Sequence, residues 1–392
     1  MTPAARVQAA IEVLDLVIAA ARSGGASADR IVAEWFRPRR FAGSGDRRAV
    51  RELAYGAIRA CGEVPLSGRA AMLRLAQADH ALTALFDGSR HAPAPIAAGE
   101  PVAEGGIAPA WLSARLAASG IAGPTAEALL GRAPLDLRVN ALKAARDSLE
   151  LPVRGEPLIA PHGLRLPHGT PVEQWPEFKD GLIEVQDGGS QLTCVAVAAQ
   201  PGETVIDLCA GAGGKTLALA AAMQGTGRLI AADTDRSRLT RLTPRAERAG
   251  AVFIETRLLN PGREVDALHD LAGRADAVLV DAPCSGTGTW RRNPEARWRL
   301  SEQEVARYAA VQARLLDLAA GLVRPGGRLI FVTCSLLDAE GADQAAGFLT
   351  RHPGWQAAPL TLGAGTPRGA GLRLDPLRDS TDGFFVARFA AP

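Results

Sequence analysis

The chain has 392 residues, 47% of them hydrophobic and 22% charged, and a net charge of +2. That composition excludes a disordered or fibrous chain, and the length suits two or three units with at least one full core. Near-neutral total charge leaves any nucleic-acid contact to local patches.

No apolar run is long enough to span a membrane, and Arg6, Glu12, Asp15 and Arg22 interrupt the pattern a signal peptide would need. The five cysteines, Cys61, Cys194, Cys209, Cys284 and Cys334, form no C-x-x-C pair. A zinc site or a disulfide framework is therefore not expected, and the chain is expected to be cytoplasmic, with no metal and no membrane partner.

Residues 1–87 read as helical. Val7, Ala10, Ile11, Leu14, Val17 and Ile18 recur at helical spacing, and Gly24-Gly25 ends that segment. A second helix follows through Ile31, Val32 and Trp35, and a third from about Asp46 through Val50, Leu53 and Ile58. Arg37, Arg39, Arg40, Arg47, Arg48 and Arg51 crowd around Trp35 and Phe36, a composition suited to an RNA-facing patch.

The Pro- and Gly-rich stretch 88–106 reads as a linker. Residues 107–180 read as a small α/β connector. Short helices are expected around 109–119 and 124–130, a strand at Leu135–Lys143, a helix from about Ala144, and loops with short strands to about 181.

From residue 181 to 392 strands alternate with helices. Strands are expected at Leu182–Val185, Thr204–Leu208, Arg228–Asp233, Val252–Ile254, Ala277–Val280 and Arg328–Cys334, with a terminal pair at Trp355–Leu360 and Phe384–Phe389. This is the pattern of an α/β, Rossmann-like, doubly wound parallel sheet closed by an antiparallel pair.

Asp207-Leu-Cys209-Ala210-Gly211-Ala212-Gly213-Gly214-Lys215 lies between a strand and its helix. Glycines there let the backbone approach a ligand, and the helix N-terminus adds donors. A Walker A loop needs glycine where Cys209 stands, and a dinucleotide fingerprint from Gly211 needs one where Thr216 stands. The spacing suits a nucleoside cofactor without pyrophosphate, and Asp233, ending the next strand, suits ribose hydroxyls. S-adenosyl-L-methionine fits best, with Lys215 set to face its carboxylate.

Asp281-Ala-Pro-Cys284 ends one strand and Cys334 ends the next. Adjacent strands bring both thiols to one crevice. Carbon 5 of cytosine accepts a methyl group only once a thiolate has added at carbon 6, and a base must afterwards remove the carbon-5 proton. A thiol, a carboxyl and a base are all at hand, and chemistry alone leaves either cysteine as the nucleophile.

These motifs, with Arg291-Arg292-Asn-Pro294, Trp298 and Thr333-Cys-Ser335, resemble the RsmB (Fmu/Sun) family of RNA cytosine-5 methyltransferases over residues 135–392. Arg138–Lys143 and Val185–Leu192 resemble family stretches as well. The resemblance implies Cys334 as nucleophile, Cys284 as the group assisting proton removal and release, and Asp281 as the base-recognising carboxyl. It also implies that the loop 209–215, Asp281 and Asp233 hold S-adenosylmethionine, and that ribosomal RNA of the small subunit is the partner. Asp46-Arg-Arg and Leu53-Ala-Tyr-Gly56 resemble the NusB-like RNA-binding domain of bacterial members.

Two departures stand out. Ala212 replaces the usual proline, and Leu258-Leu259-Asn260 replaces an aspartate expected beside the adenine, leaving Asn260 as its substitute. Arg291, Arg292, Arg297 and Trp298, with Lys143, are expected to contact RNA. The rivals are a transfer-RNA cytosine-5 enzyme, an amino-directed methyltransferase, disfavoured because Asp-Ala-Pro-Cys lacks its aromatic platform, and a non-catalytic assembly factor.

Overall fold

The computed structural model describes all of residues 1–392. Two compact units form: residues 1–131 with 289–302, and residues 132–288 with 303–392. The second unit therefore begins within the expected connector, and the first reclaims a segment from the middle of the expected catalytic domain.

The first unit is helical: α1 (Pro3–Ser23), α2 (Ala28–Phe36), α3 (Ser44–Ala60), α4 (Gly68–Ala76), α5 (His80–Thr83), α6 (Ala110–Ala118) and α7 (Pro124–Ala128). Thr2 caps α1 by accepting the Ala5 N–H, Pro3 opens it, and Gly24 closes it at φ 70°. Val7, Ala10, Leu14, Val17 and Ile18 bury one stripe of α1 against Val50, Ala54, Ile58 and Met72. The stretch 88–106 forms no helix or strand, yet it is not a free tether. Ala103 N–H donates to Ala70 O, Gly62 N–H to Glu104 O, and Arg69 pairs with Glu100.

Residues 289–302 complete this unit by capping its helices. Arg297 is 0% exposed and donates to Ile58 O at 2.7 Å and Cys61 O at 2.8 Å, at the C-terminal end of α3. Arg299 donates to the Ala20 carbonyl in the last turn of α1 and to the Gly25 and Ala26 carbonyls just beyond it. Glu295 accepts the Ala28 N–H that opens α2, at 2.9 Å. Cations thus sit at helix C-termini and an anion at an N-terminus, the arrangement the helix dipole favours.

The second unit opens with β1 (Leu135–Val139), β2 (Glu156–Pro157), β3 (Gly163–Leu166), the short α8 (Pro176–Lys179) and β4 (Ile183–Val185). The four strands make an antiparallel sheet of order β2-β3-β1-β4. The strand at 182–185 therefore belongs here and not to the main sheet. The helix expected from Ala144 is a run of turns.

The remaining elements are α9 (Gly188–Val197), β5 (Thr204–Asp207), α10 (Gly214–Ala222), β6 (Arg228–Asp233), α11 (Arg236–Leu239), α12 (Leu242–Ala249), β7 (Ile254–Leu258), α13 (Glu264–Leu268), β8 (Ala275–Asp281), α14 (Glu302–Ala320), β9 (Val323–Thr333), α15 (Ala342–Arg351), β10 (Gln356–Ala357), β11 (Thr366–Arg368), β12 (Gly371–Leu374) and β13 (Phe384–Ala390). They build a nine-stranded sheet of order β11-β12-β13-β9-β8-β5-β6-β7, with β10 on β13. Strands β7, β6, β5, β8 and β9 are parallel, and β13 joins β9 antiparallel.

Alternate residues of the strands feed two cores. Val205, Leu229, Ala277 and Leu279 pack with Leu192, Leu217 and Leu242, while Ile206, Ile230, Val278, Val280 and Phe331 pack with Leu268, Leu316 and Phe348. Both faces are covered, so the central strands read as continuous apolar runs. This is the Rossmann-like α/β fold. Strand order reverses between β5 and β8, and the crevice at their carboxyl ends is where such sheets bind ligands.

Candidate active site

A cleft of about 860 Å³ opens at that switch point, lined by residues 208–212, Gly214, Lys215, Asp233, Asp281, Cys284 and Cys334, with Gln186, Arg307 and Tyr308 at its sides. The cleft wall therefore gathers the residues expected to bind the cofactor or act in catalysis, except Gly213, which packs on Leu242 behind the loop, and Asn260.

The glycine loop is held from behind. Leu208 N–H donates to Leu279 O and Ala210 N–H to Ala232 O, which ties the loop to strands on either side. Gly211 N–H donates to Asp233 Oδ2 at 2.7 Å, and Asp235 N–H takes the other oxygen at 2.7 Å. Gly213 has φ 85°, and a Cβ there would lie 2.1 Å from Leu242 Cδ1, so only glycine fits. Ala212, the residue that departs from proline, offers its carbonyl to Arg245 at 2.6 Å.

Asp207, at the end of β5, is completely buried and accepts the Thr216 hydroxyl at 2.7 Å. Burial pushes its carboxyl up to about 7, outweighing the hydrogen bond from Thr216. Lys215 donates to Asp281 Oδ2 at 2.7 Å. Burial alone would lower its ammonium, but the Asp281 charge prevails and the net shift is upward. The observed partner of Lys215 is thus a carboxylate of the chain itself.

Cys284 Sγ and Cys334 Sγ lie 3.4 Å apart, both free thiols at the ends of neighbouring strands. The hydrogen bond with Cys334, followed by burial, pushes the Cys284 thiol well above its ordinary range.

The loops bearing the two thiols share a partner that sequence reasoning missed. Glu340, 0% exposed, accepts the Ser285 N–H at 2.8 Å and the Ser335 hydroxyl at 2.7 Å. In the sequence it reads as one more acid before a helix. The only hint is that each cysteine is followed by a serine.

Of the five expected RNA contacts, three are buried and two, Arg292 and the exposed Lys143, are not contradicted. Arg291, Arg297 and Trp298 are buried in the helical unit, where Arg297 and Trp298 spend their donors on backbone carbonyls, Trp298 Nε1 on Gly62 O at 3.2 Å. Arg292 is half-buried in the same segment. Lys143 donates to Asp180 O and, at 2.6 Å, to Arg248 O in the last turn of α12, which makes it a helix cap. Asn260 is exposed, and Leu259 and Pro261 form the cleft wall there instead.

Residues 194–390, half of the chain, match the model of the 16S rRNA methyltransferase RsmB/F family. The chain belongs to that family. Among curated relatives, the ribosomal RNA small subunit methyltransferase B of Citrobacter koseri is 35% identical over 291 residues, covering 71% of this chain and 65% of that protein. The protein of the same name from Xanthomonas campestris pv. campestris is 36% identical over 291 residues, with the same two shares. The chain thus aligns with about 65% of the length of these relatives.

Among solved structures, PH0851 is 26% identical, with a TM-score of 0.76 over 99% of each chain. A methyltransferase homolog protein from Pyrococcus horikoshii is 26% identical, with a TM-score of 0.60 over 72% of this chain and 99% of that one. NSun6 from Pyrococcus horikoshii, solved with SFG, is 18% identical with a TM-score of 0.60 over 71% of this chain and 97% of that one, and shares the fold. No helix is long and apolar enough to cross a membrane.

Proposed function

We propose that this chain methylates carbon 5 of a cytidine in RNA, with small-subunit ribosomal RNA as substrate and S-adenosylmethionine as methyl donor. The observation that carries this reading is the pair of sulfurs 3.4 Å apart, in one cleft with Asp281 and the glycine loop. Membership of the RsmB/F family supports it, as do relatives named for ribosomal RNA methylation.

The residues fit the cofactor. Each Asp233 oxygen accepts one backbone N–H and keeps a second acceptor position for a ribose hydroxyl. A Cβ at Gly211 or Gly214 would meet nothing within 4 Å, so the loop is open on the ligand side. Residues 209–215 with Asp233 and Asp281 would hold it, and Lys215 retains donors for its carboxylate. Bound there, S-adenosylmethionine supplies an electrophilic methyl group on a sulfonium.

The chain's own residues do the rest. Cys334 Sγ adds to carbon 6, which makes carbon 5 enamine-like and able to accept a methyl group. Asp281, held by Lys215, hydrogen-bonds the cytosine edge. Cys284 Sγ, 3.4 Å from Cys334 Sγ, acts once its own proton has gone to solvent: its thiolate takes the carbon-5 proton, the carbon 5–carbon 6 double bond re-forms, and the carbon 6–sulfur bond breaks to free the methylated base and the Cys334 thiolate.

Denaturing electrophoresis of the protein with RNA and labelled cofactor tests this. Cys334→Ala should abolish transfer, whereas Cys284→Ala should leave a protein–RNA adduct that survives denaturation. An adduct from Cys334→Ala instead would reverse the roles, and wild-type protein that transfers no label to RNA carbon 5 would end the proposal.

A further inference from the structure

Glu340 follows the last parallel strand and is completely buried, and its partners are uncharged hydroxyl and amide groups. Ser285 donates to it twice, through N–H to Oε1 at 2.8 Å and through its hydroxyl to Oε2. Ser335 donates its hydroxyl to Oε2 at 2.7 Å, and Gln312 Nε2 reaches Oε1 at 3.3 Å while also donating to Pro283 O at 2.9 Å. Ser285 follows Cys284 and Ser335 follows Cys334, so one carboxyl group grips the residue after each thiol.

The surrounding bonds close the same frame. Thr333 donates its hydroxyl to Glu340 O at 3.0 Å, Gly288 N–H donates to Cys334 O at 2.9 Å, and Leu336 N–H donates to Thr287 Oγ1 at 2.8 Å. Burying a carboxyl group is costly, and apolar packing would hold two loops together at lower cost. What a carboxyl adds is direction: two oxygens in one plane fix two sets of donors at set distances.

We propose that Glu340 is a positioning residue that sets the separation of the Cys284 and Cys334 sulfurs. It touches neither substrate nor cofactor, and it acts through Ser285 and Ser335. Glutamine at 340 keeps the shape but turns an NH₂ toward groups that are themselves donors, so the frame loosens on one side.

The test has two arms, and only the second rests on the function proposed above. In the first, dibromobimane bridges neighbouring thiols of the full-length protein without RNA or cofactor, with Cys334→Ser defining the background. Glu340→Gln should slow bridging by about fivefold, the equivalent of one missing buried hydrogen bond. In the second, kcat for RNA methylation should fall by about tenfold or more, as expected for a small misplacement of reacting groups, with KM unchanged. Ser335→Ala removes one donor and leaves the carboxyl; it should move both readouts the same way, and it decides the matter if Glu340→Gln does not fold. Bridging at the wild-type rate in the folded variant overturns the proposal. Absence of methylation by the wild type overturns the functional reading instead, and the bridging arm still stands.

Discussion

At the scale of single residues, the site is a set of groups held in unusual ionisation states by burial. Asp207 is completely buried with one hydroxyl partner, and burial raises its carboxyl to about 7 in the folded chain, so below that pH it takes up a proton on folding. A carboxyl raised in the folded state contributes stability that is complete below the unfolded value, near 3.8, and lost as the pH rises through about 7. Asp207→Asn has no such slope. The stability difference between variant and wild type should shift in favour of the variant by roughly 2–4 kcal/mol between pH 5 and pH 8. Thermal unfolding at the two pH values measures it, and a difference independent of pH would show that Asp207 stays charged.

At the scale of elements, the capping segment 289–302 explains why two helices of the first unit end where they do. Arg297 offers a planar fork to carbonyls at the end of α3, in a site so dry that burial brings its guanidinium down to about 10. Arg297→Ala would leave those carbonyls buried and unpaired, and should cost about 3–5 kcal/mol. Arg297→Lys keeps the charge but not the fork and should recover only part of that loss. Chemical denaturation of the full chain measures both, and a lysine variant as stable as the wild type would show that charge alone suffices.

The same segment shows where sequence reading stops. Strands β5, β6, β8 and β9 were legible because burial on both faces writes an unbroken apolar run, and the glycine loop because Gly213 tolerates no side chain. Arg297 and Glu340 were not legible. A charged residue shows its role only beside its partners, and those of Arg297 at Ile58 and Cys61 lie more than 230 positions away. The small strands β11, at the sheet edge, and β12 beside it escaped for a different reason: they are short and only partly buried, so their apolar signal is weak.

At the scale of the molecule, a net charge of +2 cannot draw a polyanion by its overall field, and the buried arginines of 289–302 are spent on helix ends. Basic groups that remain on the surface lie elsewhere: Arg37, Arg40, Arg47 and Arg48 are exposed on the helical unit, in the same short stretch of sequence as Phe41, which is 74% exposed. Exposed arginines and an exposed aromatic ring are the equipment for phosphate binding and base stacking. If this surface carries RNA, each arginine that meets a phosphate displaces a counterion, and the affinity falls with salt accordingly. Replacing Arg37, Arg40 and Arg48 by alanine should flatten the plot of log K against log salt by about 0.7–0.9 for each phosphate left without its arginine. Phe41→Ala should instead weaken binding by about 1–3 kcal/mol without changing that slope. Filter binding of RNA at several salt concentrations separates the two effects. A triple variant with the wild-type slope would move RNA binding away from this surface and toward the rim of the cleft, where Arg307 and Tyr308 stand.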